Sequence, residues 1–463
     1  MADLSSLLQP DKGEPATSLH LVDRKSFDSW LKAQPAQARQ ALAAQGFKAE
    51  GYQLAILPGE RAESWSAALG VANVDSLSPW CLAKAAESLP EGRYRVEGRG
   101  PGPAALGWLL GQYGFDRYKA PKEAKGPRIL LTQEPARIEE IVRLAEATFL
   151  VRDLVNTPAG DLGPAELESA ARAVAKECGA EIAVISGSAL EEGYPMVAAV
   201  GRGAIADRAP RLIELEWGDR RHPRIAIVGK GVCFDSGGLD IKQASWMRLM
   251  KKDMGGAAHA FALARLVMTA RLPVRLHLLV PAVENSVSGA AYRPGDVLKS
   301  RKGLAVEVDN TDAEGRLILG DALARAAEGG PELVLDFATL TGAARTALGP
   351  DLPALFANDD SLAADLVKAG TEAGDPVWHM PLWKPYEELF ASDVADFANS
   401  GDSGFAGAVT AALFLAKFVP EGLPWAHFDT FAWRPSAKPG RPKGGDALGL
   451  RAAWTLLSAR YAR

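Results

Sequence analysis

The sequence predicts an α/β protein of two domains: a small N-terminal α/β domain and a larger C-terminal α/β/α domain with a mixed central sheet. Three observations carry this. From about residue 180 onward, strand-like and helix-like segments alternate, as in a sheet covered by helices on both faces. A shorter run of the same kind occupies residues 18–132. Between them Ile138, Ile141, Val142, Ala145 and Phe149 recur at i, i+3, i+4, i+7 and i+11, one face of a single long helix. A chain of 463 residues suggests two or three domains at roughly 150 residues each. The expected division is 1–133, a connecting helix and linker at 134–160, and 161–463.

In the first domain, apolar β-prone runs predict strands at 18–22, 52–57, 93–97 and 128–132. Helices are expected at 79–88 and 103–113, the first with Ser78 as N-cap and Pro79 at the first helical position. Pro35 interrupts an earlier helical region. The basic, proline-containing stretch 118–127 reads as a loop or sheet-edge connection. The connecting helix starts near Glu134 and stops before Pro158. In the second domain, helices are expected at 164–179, 255–270, 317–328, 406–419 and 447–460. Strands are expected at 181–186, 224–229, 274–283, 304–308, 333–340 and 425–430. Residues 212–217 alternate apolar and acidic side chains, as a half-exposed strand does.

The composition narrows the function classes. At 48% hydrophobic and 24% charged the chain is ordinary globular material with enough apolar content for a large core. A net charge of −5 gives no sign of a whole-chain polyanion binder. Cys81, Cys178 and Cys233 are odd in number and far apart, so they build neither a disulfide framework nor a CxxC zinc site, which favours a reducing compartment. The N-terminus lacks the charge and apolar run of a leader, and no stretch approaches the ~18 apolar residues of a span. The expectation is a cytoplasmic protein without membrane association. His20, His222, His259, His277, His379 and His427 show no HExxH spacing and read as structural.

The chemistry concentrates in two stretches. NTDAEGR at 310–316 sets Asp312 and Glu314 two apart, with Arg316 after one glycine, just ahead of a helix. In an extended segment such a pair points to one side, aimed at one cation. A lone DxE also suits a polar helix start, with acids against the helix dipole. The second stretch, VGKGVCFDSGGLDIKQASWMRLMKKDMGGA at 228–257, follows a strand and carries Lys230, Asp235, Lys242 and Asp253 among glycines. Four carboxylates in apolar surroundings repel one another, and two divalent cations offset that charge. An oxygen-rich set without His or Cys accepts Mg or Mn as well as Zn. Cys233 reads as a small buried residue, because no base is near it in sequence.

Taken together, these motifs resemble those of the leucyl aminopeptidase (cytosol aminopeptidase) family. NTDAEGR and VGKGVCFDSGG are joined in order by NTPAG at 156–160, KKDMGGA at 251–257, YRPGDV at 292–297, ATLTGA at 338–343 and DVADFANSG at 393–401. The resemblance covers about the last two-thirds of the chain. It implies a two-metal aminopeptidase that releases N-terminal residues, leucine and other bulky apolar ones above all, from peptides. One metal would be held by Asp235, Asp312 and Glu314, the other by Lys230, Asp235, Asp253 and Glu314. Lys242 would stabilise the oxyanion, and Arg316 would hold a bicarbonate ion as general base. Met250, Thr339 and Gly342 would line the pocket for the first side chain. A homohexamer acting on peptide substrates is also implied. Gln243, Trp246, Arg248 and the segment 434–445 depart from the family's usual wording, which touches the pocket and leaves the metal set intact. Two competing readings are a nucleic-acid-binding or regulatory protein on a peptidase scaffold, resting on the basic stretch at 119–128, and a two-metal phosphoesterase.

Overall fold

The computed structural model describes residues 3–61, 63–119 and 125–462. Part of the basic stretch, residues 120–124, thus lies outside the described residues. Contacts divide the chain into two compact units, Met1–Phe149 with Ser436–Lys443, and Leu150–Pro435 with Gly444–Arg463.

In the first unit the strands are β1 (Leu8–Pro10), β2 (Thr17–Val22), β3 (Leu54–Pro58), β4 (Trp65–Gly70), β5 (Gly92–Val96) and β6 (Arg128–Thr132). They form one sheet in the order β1-β6-β5-β2-β4-β3, parallel except for the β3–β4 pair. β1 and β4 were not expected from sequence. Pro35 sits between two helices, Phe27–Ala33 and Ala36–Ala44, at the N-cap position of the second. The core gathers Tyr94, Trp108, Leu130 and Ile141. The buried Trp108 satisfies its indole N–H on the Arg128 carbonyl at 2.8 Å.

The second unit holds the chemistry. Its strands are β7 (Glu181–Ser186), β8 (Arg211–Trp217), β9 (Arg224–Gly229), β10 (Gly231–Asp235), β11 (Arg275–Asn285), β12 (Val297–Lys299), β13 (Ala305–Glu307), β14 (Leu333–Ala338), β15 (Ala354–Ala357), β16 (Trp378–His379), β17 (Phe397–Ala398) and β18 (Trp425–Asp429). The main sheet runs β16-β15-β18-β14-β9-β11-β8-β7, with β10 beside β11. β18, β14, β9 and β11 are mutually parallel, while β15, β8 and β7 pair antiparallel, so the sheet is mixed. Side chains two apart share a face. Ala226, Val228 and Val334 pack in one core with Leu317 and Ile318 of the helix Glu314–Glu328. Phe337, of opposite parity, stacks on His259 of the helix Gly255–Thr269 with ring centroids 5.7 Å apart. The two helices therefore cover opposite faces. Among the described residues, no helix is long and apolar enough to cross a membrane.

In the first unit the helix expected at 79–88 with Ser78 as N-cap starts at Ala83 instead, with Leu82 at the N-cap. Two expectations change in the second unit. β8 is not half-exposed: Glu214 is buried, accepting hydrogen bonds from Tyr194 Oη at 2.9 Å and Arg325 Nε at 2.8 Å. Glu214 is paired interior charge, and only Glu216, paired with Arg224 and Arg275, keeps part of its side chain exposed. The second change concerns Asp312 and Glu314. Their segment is a turn, not an extended strand, and Glu314 is the first residue of its helix. The Asn310 side chain accepts from the Asp312 N–H at 2.7 Å and closes that turn.

Candidate metal centre

The site sits at the carboxyl ends of the parallel strands, where open α/β sheets bind ligands. Lys230 occupies the single-residue break between β9 and β10. Its backbone N–H donates to the Phe337 carbonyl at 2.9 Å, and its carbonyl accepts from Ala257 N–H at 2.8 Å. This tie needs the close approach that Gly256 allows, since a Cβ there would lie 2.1 Å from the Phe337 oxygen. β10 ends on Asp235, and the tight turn after it is built on Gly237 and Gly238, with φ of 89° and 66°. Asp253 lies in the short turn Met250–Met254 just before the helix Gly255–Thr269.

All four carboxylates converge. Oxygens of Asp235, Asp312 and Glu314 lie within 4.8 Å of one another. Lys230 Nζ stands 2.7 Å from Asp253 Oδ2 and 3.0 Å from Glu314 Oε1. Lys242 Nζ stands 2.8 Å from Asp235 Oδ2 and also pairs with Asp312. The Asp235 and Glu314 side chains are 3% and 1% exposed, whereas that of Asp312 is 35% exposed, which leaves the cluster open on one side only. Arg316 donates from Nη1 to the Asn399 carbonyl at 2.7 Å, and its buried Nε has no hydrogen-bond partner.

The electrostatics are those of crowded acids. Burial, then the neighbouring Asp235 carboxylate, pushes both Glu314 and Asp312 above the usual carboxylate range. Burial also opposes the charge of Asp253, but Lys230 and Lys252 outweigh it and hold that acid low. Lys230 and Lys242 resist burial through the surrounding acids, which keep both ammoniums above their ordinary value. Burial brings Arg316 down to about 10.

The donor set fits divalent cations. It is all oxygen apart from one lysine, and Glu314 Oε2 is buried without a hydrogen-bond partner. Lysine binds a metal only when neutral, so two cations here would displace the proton that the acids now hold on Lys230.

Residues to which the sequence reading gave no role hold the acids in place. Asn285 Nδ2 donates to Asp235 Oδ1 at 2.9 Å and to the Thr311 carbonyl at 3.0 Å. Tyr292 Oη donates to that same carbonyl at 2.6 Å. Asn399 accepts from the N–H groups of Asp309 and Asn310 and donates to the Asn310 carbonyl, clamping the start of NTDAEGR. Tyr292 and Asn399 lie inside family-like segments, which was the available signal; Asn285 had none. His259 and His427 are buried, bonded to a backbone carbonyl and to Asp336, as structural histidines. Cys233 is fully buried.

A cavity of about 530 Å³ opens onto the cluster, within the usual range for small-ligand pockets. All ten residues singled out from sequence line it: Met250, Thr339 and Gly342 as well as the seven polar ones. Thr339 also donates from Oγ1 to Asp253 Oδ1 at 2.8 Å.

The chain is similar to known proteins over most of its length. The family model described as "Cytosol aminopeptidase family, catalytic domain" matches residues 149–453, and "M17 aminopeptidase, N-terminal domain" matches 17–130. A probable cytosol aminopeptidase of Syntrophotalea carbinolica is 42% identical over 368 residues, 76% of this chain and 73% of that protein. One from Roseiflexus castenholzii is 42% identical over 362 residues, 74% and 73% of the two chains. The crystal structure of cytosol aminopeptidase from Coxiella burnetii superposes with a TM-score of 0.92 at 43% identity, covering 98% of this chain and 99% of that one. The bottromycin maturation enzyme BotP in complex with Mn gives 0.88 at 33% identity, with 97% and 100% covered.

Proposed function

The chain belongs to the cytosol aminopeptidase family, and from that premise we propose that it releases N-terminal residues from peptides by two-metal hydrolysis, preferring leucine and other bulky apolar residues. The convergence of Asp235, Asp312 and Glu314 within 4.8 Å, with Asp253 joined to them through Lys230, carries the reading. Asp235, Asp312 and Glu314 hold one cation, and Lys230, Asp235, Asp253 and Glu314 the other, with Mn, Zn or Mg as the metal. When bound, the two cations supply Lewis acidity toward the amide carbonyl and an anchor for the free α-amine, and bicarbonate at Arg316 supplies a general base.

The chain's own residues do the rest. Lys242, already seated between Asp235 and Asp312, places a cation where negative charge develops on the carbonyl oxygen. The buried Arg316 Nε, free of other partners, supports a small anion there. Met250 packs against the cavity as an apolar wall, which supports the leucine preference. Exposed Trp378, Trp383 and Phe405 support self-association, proposed as a homohexamer in the cytoplasm.

The test is turnover of leucine p-nitroanilide against a panel of aminoacyl and phosphoester substrates, with Mn, Zn and Mg restored after chelation. Aminoacyl turnover that returns with metal is expected. Absence of aminoacyl turnover with every metal, or turnover of phosphoesters in its place, sinks the proposal.

A further inference from the structure

Five cations line the cavity, and four of them are engaged. Lys230, Lys242 and Lys252 lie against carboxylates, and Arg316 donates to a backbone carbonyl. Arg345 differs. Among the described residues it has neither an acidic side chain nor a carbonyl in bonding range, and its contacts are aromatic. Its Cζ lies 4.9 Å from the Trp246 ring centroid and 4.8 Å from that of Phe431. A cation–ring contact uses the charge of a guanidinium and leaves its N–H donors without a hydrogen-bond acceptor. Those donors sit beside the expected substrate pocket, because a Cβ built on Gly342 would be 4.0 Å from Arg345 Nη2. Trp246 is 52% exposed, so this wall is reached from solvent.

We propose that Arg345, held by Trp246 and Phe431 beside Gly342, receives a carboxylate of the peptide substrate. The proposal deepens the peptidase reading and rests on it. A planar fork fits a carboxylate through two parallel N–H···O bonds, and the two ring contacts hold the guanidinium in place before the ligand arrives. The carboxylate has two sources in a peptide: the C-terminus of a short substrate, or an acidic side chain next to the scissile bond. Arg345 acts here as a specificity residue and touches no reacting atom.

The experiment measures kcat/KM of the full-length, Mn-loaded protein and of Arg345→Met on three matched pairs. Leucyl-alanine against leucyl-alaninamide reports the C-terminus. Leucyl-glutamyl-amide against leucyl-glutaminyl-amide, and glutamyl-alaninamide against glutaminyl-alaninamide, report side chains on either side of the bond. The expected result is a preference of about tenfold or more for the carboxylate member of at least one pair, lost in Arg345→Met. The pair that responds identifies the source. Because each value is a ratio within one protein sample, a smaller folded fraction cancels. Arg345→Lys, which keeps charge without the fork, is expected to retain only part of the ratio. Turnover of the neutral peptides with no carboxylate preference, or a preference unchanged in Arg345→Met, overturns the proposal alone. No turnover of any peptide overturns the peptidase reading and this proposal with it.

Discussion

Asn285 offers the sharpest test of how the acids are held. It is 1% exposed and has no charge of its own, yet it donates to Asp235 Oδ1 and to the Thr311 carbonyl. Asn285→Ala removes both bonds. Asp235 keeps the Gly237 N–H at 2.8 Å, and the Thr311 carbonyl keeps Tyr292 Oη at 2.6 Å, so neither acceptor is stranded. The loss at the carboxylate is that of one charge-assisted bond, about 1.5–3 kcal/mol. Removing a partner that orients a metal-binding carboxylate typically weakens metal affinity about 10–100-fold, equivalent to about 1.4–2.8 kcal/mol. The two estimates agree. Calorimetric titration of Mn into chelated protein therefore gives a Kd raised about 10–100-fold in Asn285→Ala. Tyr292→Phe is the control, since it takes a bond from the same carbonyl without touching Asp235. Its Kd stays within about threefold, and it loses about 1 kcal/mol of stability. An unchanged Kd in Asn285→Ala, or an equal rise in both variants, would show that Asn285 does not act through Asp235.

Other perturbations probe separate parts of the molecule. Lys242→Met lowers kcat by about 10²–10³ with little change in KM if its ammonium serves the oxyanion; steady-state kinetics showing only a KM change contradicts that role. Glu314→Ala abolishes metal-dependent turnover while circular dichroism stays native, and retained activity refutes its place between the two cations. Gly256→Ala, whose Cβ meets the Phe337 carbonyl at 2.1 Å, lowers the melting temperature, whereas Gly289→Ala, with nothing within 4 Å, leaves it nearly unchanged. The pair His427–Asp336 sets a pH dependence. Burial opposes the imidazolium, but Asp336 outweighs it and raises the folded pKa above that of the unfolded chain. Its stabilisation is then full below about pH 6.5 and fades as pH rises through the folded value. The melting-temperature gap between wild type and His427→Gln should accordingly narrow from pH 6 to 9, and a gap that widens contradicts the pairing.

Much of the site was legible because its residues cluster in sequence between glycines, at the end of a strand whose apolar run is unmistakable. The helices Pro164–Cys178, Gly255–Thr269 and Glu314–Glu328 were readable from period and caps, although the last begins three residues before the apolar run at Leu317. What stayed hidden is non-local. β4, with sequence WSAALG, is rich in small residues of weak strand preference and is held by pairing with β2 and β3 and by burial of Ala67, Ala68 and Leu69 in the cores on either side. The Asn285 amide reaches Asp235 across 50 residues, and the Asn399 amide reaches Asp309 across 90. No local pattern marks such an amide. The meeting of Trp246, Arg345 and Phe431 likewise joins three segments that carry no shared motif. The geometry of Asp312 and Glu314 was misjudged for a local reason: two residues apart serves convergence in a strand, but here a turn closed by Asn310 delivers it.

Exopeptidase chemistry at this acidic cluster is read from the release of free leucine. Leucyl-alanyl-alaninamide and its N-acetylated form are incubated with chelated protein, with Mn-restored protein and with Mn-restored Glu314→Ala, and free leucine is quantified by mass spectrometry. Leucine is expected from the unblocked peptide in the Mn-restored wild-type sample and in no other. Equal cleavage of the acetylated peptide, release after chelation, or undiminished release by Glu314→Ala would contradict it.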